Sequence, residues 1–290
     1  MAHTISTTNA ATPWRPDQHV FDAGDVLPDA LILTDTLTVG AIEGDQPVIE
    51  VAYIVDDDAQ FVAEGDEIPE GDPALSAATI YSRKIAQLIR LTNEQYRQNN
   101  TPAELARSVS RALTRKADAA LLAQPAPVQP TDPEDPPVFA PVAGILNTTG
   151  LSVEVVEDGN LDALIDLEAK VRAAGANPTA WVLAPATWAE IRKFKTATAS
   201  NQNLLGAGTE NAQPLLLGIP VKVNPAIPSG SGVLLDSSAI LSAAGPVTVT
   251  TDPSAYFTSD SVGIRATWRT GHTLPRPDRI GKFTIDDGEG

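Results

Sequence analysis

The sequence predicts a mixed α+β protein, and three observations carry that reading. The first is a helical repeat in which Leu105, Val109, Ala112, Leu113, Ala117, Ala120 and Leu121 recur at three- and four-residue spacing. The second is strict alternation over residues 261–276, with Val262, Ile264, Ala266 and Trp268 on one side and Gly263, Arg265, Thr267 and Arg269 on the other. The third is a pair of strand-like runs, 48–55 and 78–91, flanking an acidic middle that contains Gly65, Pro69 and Gly71.

The bulk numbers set limits. A 290-residue chain with 42% hydrophobic residues can bury a real core, which excludes global disorder. The absence of cysteine removes disulfides, Cys-ligated metals and a thiol nucleophile. No apolar run spans a bilayer, and the polar start MAHTISTTNAATPW lacks a signal peptide's basic and apolar regions, so a cytoplasmic product is expected. The net charge of −17 disfavours a sequence-reading DNA-binding role, because such a chain repels phosphate at long range.

Residues 1–30 contain Pro13, Pro16 and Pro28 with little periodicity, and read as an extended arm with Trp14, Val20 and Phe21 as apolar anchors. Residues 31–43 read as a strand or turn-strand. In the run 48–55, Val48, Glu50, Ala52 and Ile54 alternate with Ile49, Val51, Tyr53 and Val55, so both faces carry apolar residues. The run 78–91 is expected to return as its partner, mixing Ile80, Ile85, Leu88, Ile89 and Leu91 with Arg83, Lys84, Gln87 and Arg90. An isolated two-stranded ribbon is marginal in water. This hairpin needs a partner surface, and another copy of the chain is the expected source.

Thr101-Pro102-Ala103-Glu104 opens the long amphipathic helix, with a cap residue, proline at the first helical position and a capping-box glutamate. The proline-crowded stretch 125–141 reads as a stiff exposed loop. A second helix is predicted over 161–174, stopped by Gly175. A buried strand over 180–184 is followed by a helix that Pro185 opens and that holds Trp188, Ile191 and Phe194. Residues 196–214 read as a polar loop. Strands near 233–241 and 246–251 precede the long alternating strand over 261–276.

Chemistry is sparse in this chain. His3, His19 and His272 show no metal-ligand spacing, and no phosphate loop, dinucleotide fingerprint or nucleophile elbow occurs. Asp56-Asp57-Asp58 lacks the spacing of a calcium loop and reads as a solvated acidic turn. No catalytic residue, metal or cofactor is expected.

The segment VAEGDEIPEGDPALSAATIYSRKIAQLIRLTNE resembles the extended-loop region of HK97-fold major capsid proteins of tailed bacteriophages. The residues that carry the likeness are Glu64-Gly65, Ile68-Pro69-Glu70, Leu75, Arg83-Lys84 and Thr92-Asn93-Glu94. Further matches are Gly144-Ile145-Leu146-Asn147, the strand–Pro–helix unit 181–194, Leu215 to Val221, and Arg265 to Pro277. Asp236-Ser237-Ser238 departs from the family's usual Gly-Asp.

This resemblance implies an N-terminal arm and first strand over 1–47 and an extended-loop hairpin over 48–91. It implies a peripheral domain over 92–150 and 246–290, with the long helix as its spine, and an axial domain over 151–245. It also implies self-assembly as pentamers and hexamers into an icosahedral shell that encloses double-stranded DNA without reading its sequence. The shell would be a virion capsid assembled in the host bacterial cytoplasm, with no membrane or cofactor. Its partners would be a portal, a separate scaffolding protein (the chain starts at Met1, close to the arm) and a decoration protein. An encapsulin-type nanocompartment shell is the alternative.

Some family members join a hairpin lysine covalently to a neighbour's asparagine with help from a glutamate. Residues 48–82 hold no lysine, Asp260 or Ser261 falls near the asparagine position and Thr267 near the glutamate position, so a non-crosslinked shell is expected. The contact candidates are Trp14 and Phe21 on the arm, the acids Asp56, Asp57, Asp58, Glu64, Asp66 and Glu67, and the bases Arg83, Lys84 and Arg90. The bases are expected to face a neighbour's acids, so that reversing Arg83 and Lys84 blocks assembly.

Overall fold

The computed structural model describes residues 18–55, 61–62, 74–98, 101–132, 134–157, 160–195, 205 and 214–286. The chain opens with β1 (Gln18–Phe21), two single-turn helices α1 (Ala23–Val26) and α2 (Leu31–Thr34), and β2 (Leu37–Ala41). A ribbon of β3 (Val48–Val55) and β4 (Ala74–Tyr81) follows, then β5 (Arg83–Thr92), α3 (Asn93–Tyr96) and the 23-residue α4 (Thr101–Ala123). Next come β6 (Ser152–Val156), α5 (Asp162–Ala173), β7 (Ala180–Leu183) and α6 (Pro185–Ile191). The chain then runs through β8 (Leu215–Leu216), β9 (Ile219–Val223), β10 (Ser231–Leu235), β11 (Leu241–Ala244), β12 (Val247–Tyr256), β13 (Ser261–Thr273) and β14 (Gly281–Ile285).

Two six-stranded sheets organise these elements. The first has the order β1-β12-β13-β11-β2, with β5 also on β13. The second has the order β6-β14-β10-β7-β9-β8. The alternation read along 261–276 is real: Ala266 and Trp268 are buried against α4, whose Val109, Leu113, Ala117 and Leu121 form the facing stripe. Trp268 donates its indole N–H to Gly245 O at 2.9 Å, satisfying a polar group that burial would otherwise penalise. The same core reaches Val182, Val233 and Leu235 of the second sheet. That sheet's other face packs Trp181 and Phe283 edge to face, with α5 supplying Leu164, Leu167 and Val171.

Four features differ from the sequence expectation. The run 78–91 is two strands, because Ser82 breaks it: its N–H donates to Pro47 O at 2.8 Å and its hydroxyl to Gln46 O at 2.6 Å. Only β4 pairs with β3, while β5 leaves the ribbon and pairs with β13 over ten residues. Arg83, Lys84 and Arg90 therefore lie on a body strand and not on the hairpin.

The arm is the second difference, since its part from Gln18 onward docks as β1 on β12 of the same chain. Third, residues 31–34 form a helical turn before β2. Fourth, β14 lies in the stretch grouped with the peripheral domain yet pairs parallel with β6 and antiparallel with β10 in the second sheet. Five residues with two large apolar side chains, Phe283 and Ile285, give too short a pattern to signal this strand.

Candidate assembly interface

The ribbon β3–β4 touches the body through one small core. Ile80 is fully buried and packs with Ala78, Ile42, Leu241 and Ala243, with Ile49, Val51 and Tyr53 along its margin. All of these lie near the base or middle of the ribbon. Toward the tip, Phe61 and Val62 are exposed, Phe61 completely so. Eight carboxylates and no lysine or arginine lie within residues 56–72. Asp56, Asp57, Asp58, Glu64, Asp66 and Glu67 lie outside the described residues, as does Trp14.

The first sheet presents its second face away from α4. The β5–β13 register pairs Lys84 with Arg269, Ala86 with Thr267, Leu88 with Arg265 and Arg90 with Gly263. Residues directly opposite in an antiparallel pair share a face. Ile85 and Ile89 turn to the α4 core with their partners Trp268 and Ile264, so Lys84, Leu88, Arg90, Arg265 and Arg269 share the outer face. β12 continues it with Thr248 and Thr250. β1 adds Val20, whose partner is Thr248.

Leu88 is 63% exposed and Val20 59%, so this face carries aliphatic side chains in solvent beside its cations. Arg269 pairs with Asp45 at 2.6 Å, and the Arg90 guanidinium lies 4.8 Å from the centre of the Tyr256 ring. Lys84, Arg90 and Arg265 have no carboxylate within ion-pair distance among the described residues. Lys84, Arg265, Arg269, Thr248 and Thr250 line a shallow cleft of about 440 Å³ on this face.

The other candidates fall elsewhere. Arg83 turns to the opposite side from Lys84 and donates to Ala140 O at 2.7 Å. Beside it Tyr81 stacks on Phe139, centroids 4.9 Å apart, which ties the proline-rich loop to the corner after β4. Phe21 is 43% exposed and stacks on His19 within β1. Asp260 accepts a hydrogen bond from Asn93 Nδ2, an amide beside a carboxylate, while the hairpin supplies no amine to react with it. The sequence reading did not single out Leu88, Arg265 and Arg269, which share this face with Lys84 and Arg90. The alternation of 261–276 displayed both arginines, but nothing local announces that β5 lies beside β13.

No group of three or more His, Asp or Glu side chains able to hold a metal occurs among the described residues. No helix there is long and apolar enough to cross a membrane. His272 is buried, and loss of solvation lowers its pKa to about 4, partly opposed by the bond from its Nε2 to Ala143 O. A neutral buried imidazole that serves one carbonyl is a structural group.

A family model described as the phage capsid family matches residues 30–285. The chain belongs to the phage capsid family. It is a shell-forming major capsid protein of the HK97 type, a structural protein and not an enzyme, and its place is the virion capsid.

Solved structures share the fold. One from Gordonia phage Cozz matches at TM-score 0.66 and 15% identity over 99% of this chain and 91% of that one. The capsid of an empty GTA particle matches at TM-score 0.65 and 17% identity, covering 98% and 95% of the two chains. A structure from Mycobacterium phage Adephagia matches at 0.64 and 16% identity, covering 89% and 90%. No curated protein sequence matches. The encapsulin alternative is not favoured.

Proposed function

We propose that this capsid protein assembles as pentamers and hexamers into an icosahedral shell around double-stranded DNA, and that noncovalent docking of the hairpin holds neighbouring subunits together. The observation that carries the docking is a two-part match between surfaces of one chain. In the sequence, Asp56, Asp57 and Asp58 on one side and Glu64, Asp66 and Glu67 on the other flank the exposed pair Phe61 and Val62. Along the outer edge of β5, Lys84 and Arg90 flank Ala86 and the exposed Leu88, with Arg265 opposite. Acid–apolar–acid meets base–apolar–base, so both charge and burial fix the register. Trp14 extends the contact from the arm, and Phe21 contributes from β1.

The chemistry of a crosslink lacks its amine, since residues 48–82 contain no lysine. The shell then relies on many modest contacts closed by symmetry. A separate scaffolding protein, a portal and a decoration protein complete the assembly, which proceeds in the host cytoplasm.

Electron microscopy of the expressed chain tests the shell, and boiling the particles in SDS tests the bonding. Closed particles that dissolve to a single 30.4-kDa band are expected. A ladder of covalent oligomers would refute the noncovalent account, and a monodisperse monomer would refute the shell.

A further inference from the structure

We propose that the exposed arginine stripe of α4 lines the inner wall of the shell and contacts the phosphates of the enclosed DNA. This rests on the shell reading above and adds which side of the wall faces inward. α4 and the first sheet form two layers: the helix packs Val109, Leu113, Ala117 and Leu121 onto one sheet face, and the other face carries Lys84, Leu88 and Arg265. The two outer surfaces of this pair of layers are therefore opposite sides of the wall.

Both surfaces are basic in a chain of net charge −17, but they differ in kind. The sheet face interleaves its cations with the exposed aliphatic residues Leu88 and Val20, as a protein partner requires. The helix stripe consists of Arg107, Arg111 and Arg115, all exposed, with Glu104 and Ser108 beside them and no large apolar side chain. A surface without an apolar anchor is poorly suited to a protein and well suited to a polyanion.

Spacing supports the same partner. Residues four apart on a helix rise by about 6 Å, so the three arginines form a straight row about 12 Å long on a rigid rod. Phosphates along one DNA strand rise about 3.4 Å each along the duplex axis, so a row of this length has several phosphates within reach of its three guanidinium groups. The acids beside the row are few. Glu104 pairs with Arg107 at 3.0 Å, both side chains being largely in solvent. Asp29 lies with Arg111 and Arg115 around a small cleft. Arg115 also donates to Arg111 O at 3.3 Å, which lays its side chain along the helix. Row contacts of this kind read no base, so they fit DNA of any sequence. Their weakness is tolerable because confinement keeps the DNA concentration at the wall high.

Two measurements test the proposal. The chain has no cysteine, so Ser108→Cys installs a single reporter beside the stripe. In intact particles a bulky, shell-excluded maleimide should label this position only after the particles are opened; rapid labelling of intact particles would overturn the sidedness.

The second arm uses unassembled full-length chain and a short DNA duplex at low ionic strength. The triple variant Arg107→Gln, Arg111→Gln, Arg115→Gln should reduce the slope of log K against log salt by about 2.7, the value for three phosphate contacts. An unchanged slope would overturn the phosphate contact, as would a wild-type chain that ignores the duplex and binds polyglutamate instead. Failure of wild-type chain to form particles would count against the shell reading alone, because the duplex arm does not need a shell.

Discussion

His272 shows how a buried ionisable residue acts on stability without any part in catalysis. The Ala143 carbonyl accepts only, so Nε2 carries the proton of a neutral ring and Nδ1 has none. The folded pKa of about 4 lies below the ordinary value of 6.5. Between those values the unfolded chain binds more protons than the folded one, so stability is full above about pH 6.5 and falls as pH drops toward 4. The loss amounts to about 3 kcal/mol at most. His272→Gln should flatten this slope in urea midpoints measured across the window; an unaltered slope would mean that other groups set it.

Asp118 has the opposite sign. Burial raises its pKa, against the Leu31 N–H and Asn224 amide that favour its charged form, so its contribution grows on acidification and is lost as pH rises through the raised value. It still joins α4 to two other elements, accepting from Leu31 N at 3.0 Å and from Asn224 Nδ2 at 2.8 Å. Asp118→Ala leaves the buried Leu31 N–H without a partner and should cost about 1–3 kcal/mol at neutral pH, read as a drop in urea midpoint. Asp118→Asn should not fully restore it, because its N–H₂ must face one of two donors, the Leu31 N–H or the Asn224 amide, whose orientation is fixed by Asn224 Oδ1 accepting from Ala226 N.

At the level of elements, what the sequence revealed depended on how local its cause was. The helix α4 was legible because its repeat and its Pro102 start are local, and β13 because thirteen residues of alternation are hard to mistake. The ribbon's second strand was misjudged at Ser82, where a single polar residue with two backbone acceptors outweighs a continuous apolar pattern. The outer face of the first sheet was half legible: Lys84 and Arg90 were visible as bases, but their union with Arg265 and Leu88 arises from a pairing across more than 170 residues. β14 was missed because it is short and neither of its partners, β6 and β10, adjoins it in the sequence.

The small core around Ile80 gives the ribbon separable stability. Ile80→Ala removes a fully buried side chain and should cost about 2–5 kcal/mol within that cluster. Hydrogen exchange should quicken at 48–55 and 76–81 while Leu113 and Trp268 stay protected. Uniform loss of protection would show instead that ribbon and body unfold as one unit.

For the whole molecule, assembly must arise from contacts that are individually weak. An exposed ion pair is worth about 0.2–1 kcal/mol and is screened by salt, so three or four of them cannot hold two free subunits together. A closed shell repeats the contact at every neighbour, and there the same energies decide between particles and monomers. Sheet geometry makes this testable, because Lys84 and Arg83 are adjacent in sequence and point to opposite faces.

Lys84→Glu with Arg265→Glu should leave a folded monomer that forms no particles, since both residues sit on the outer face proposed to dock the acidic segment. Arg83→Glu should still assemble, because that side chain serves Ala140 O on the other side. Adding Asp56→Lys, Asp57→Lys and Asp58→Lys to the first variant should restore particles, counted by microscopy. Restoration argues for direct contact, because compensation requires the reversed charges to meet, whereas a general solubility effect would follow net charge alone. Assembly of the Lys84/Arg265 variant at wild-type yield, or its block by Arg83→Glu instead, would move the interface to the helix side of the sheet and remove the role assigned to Leu88.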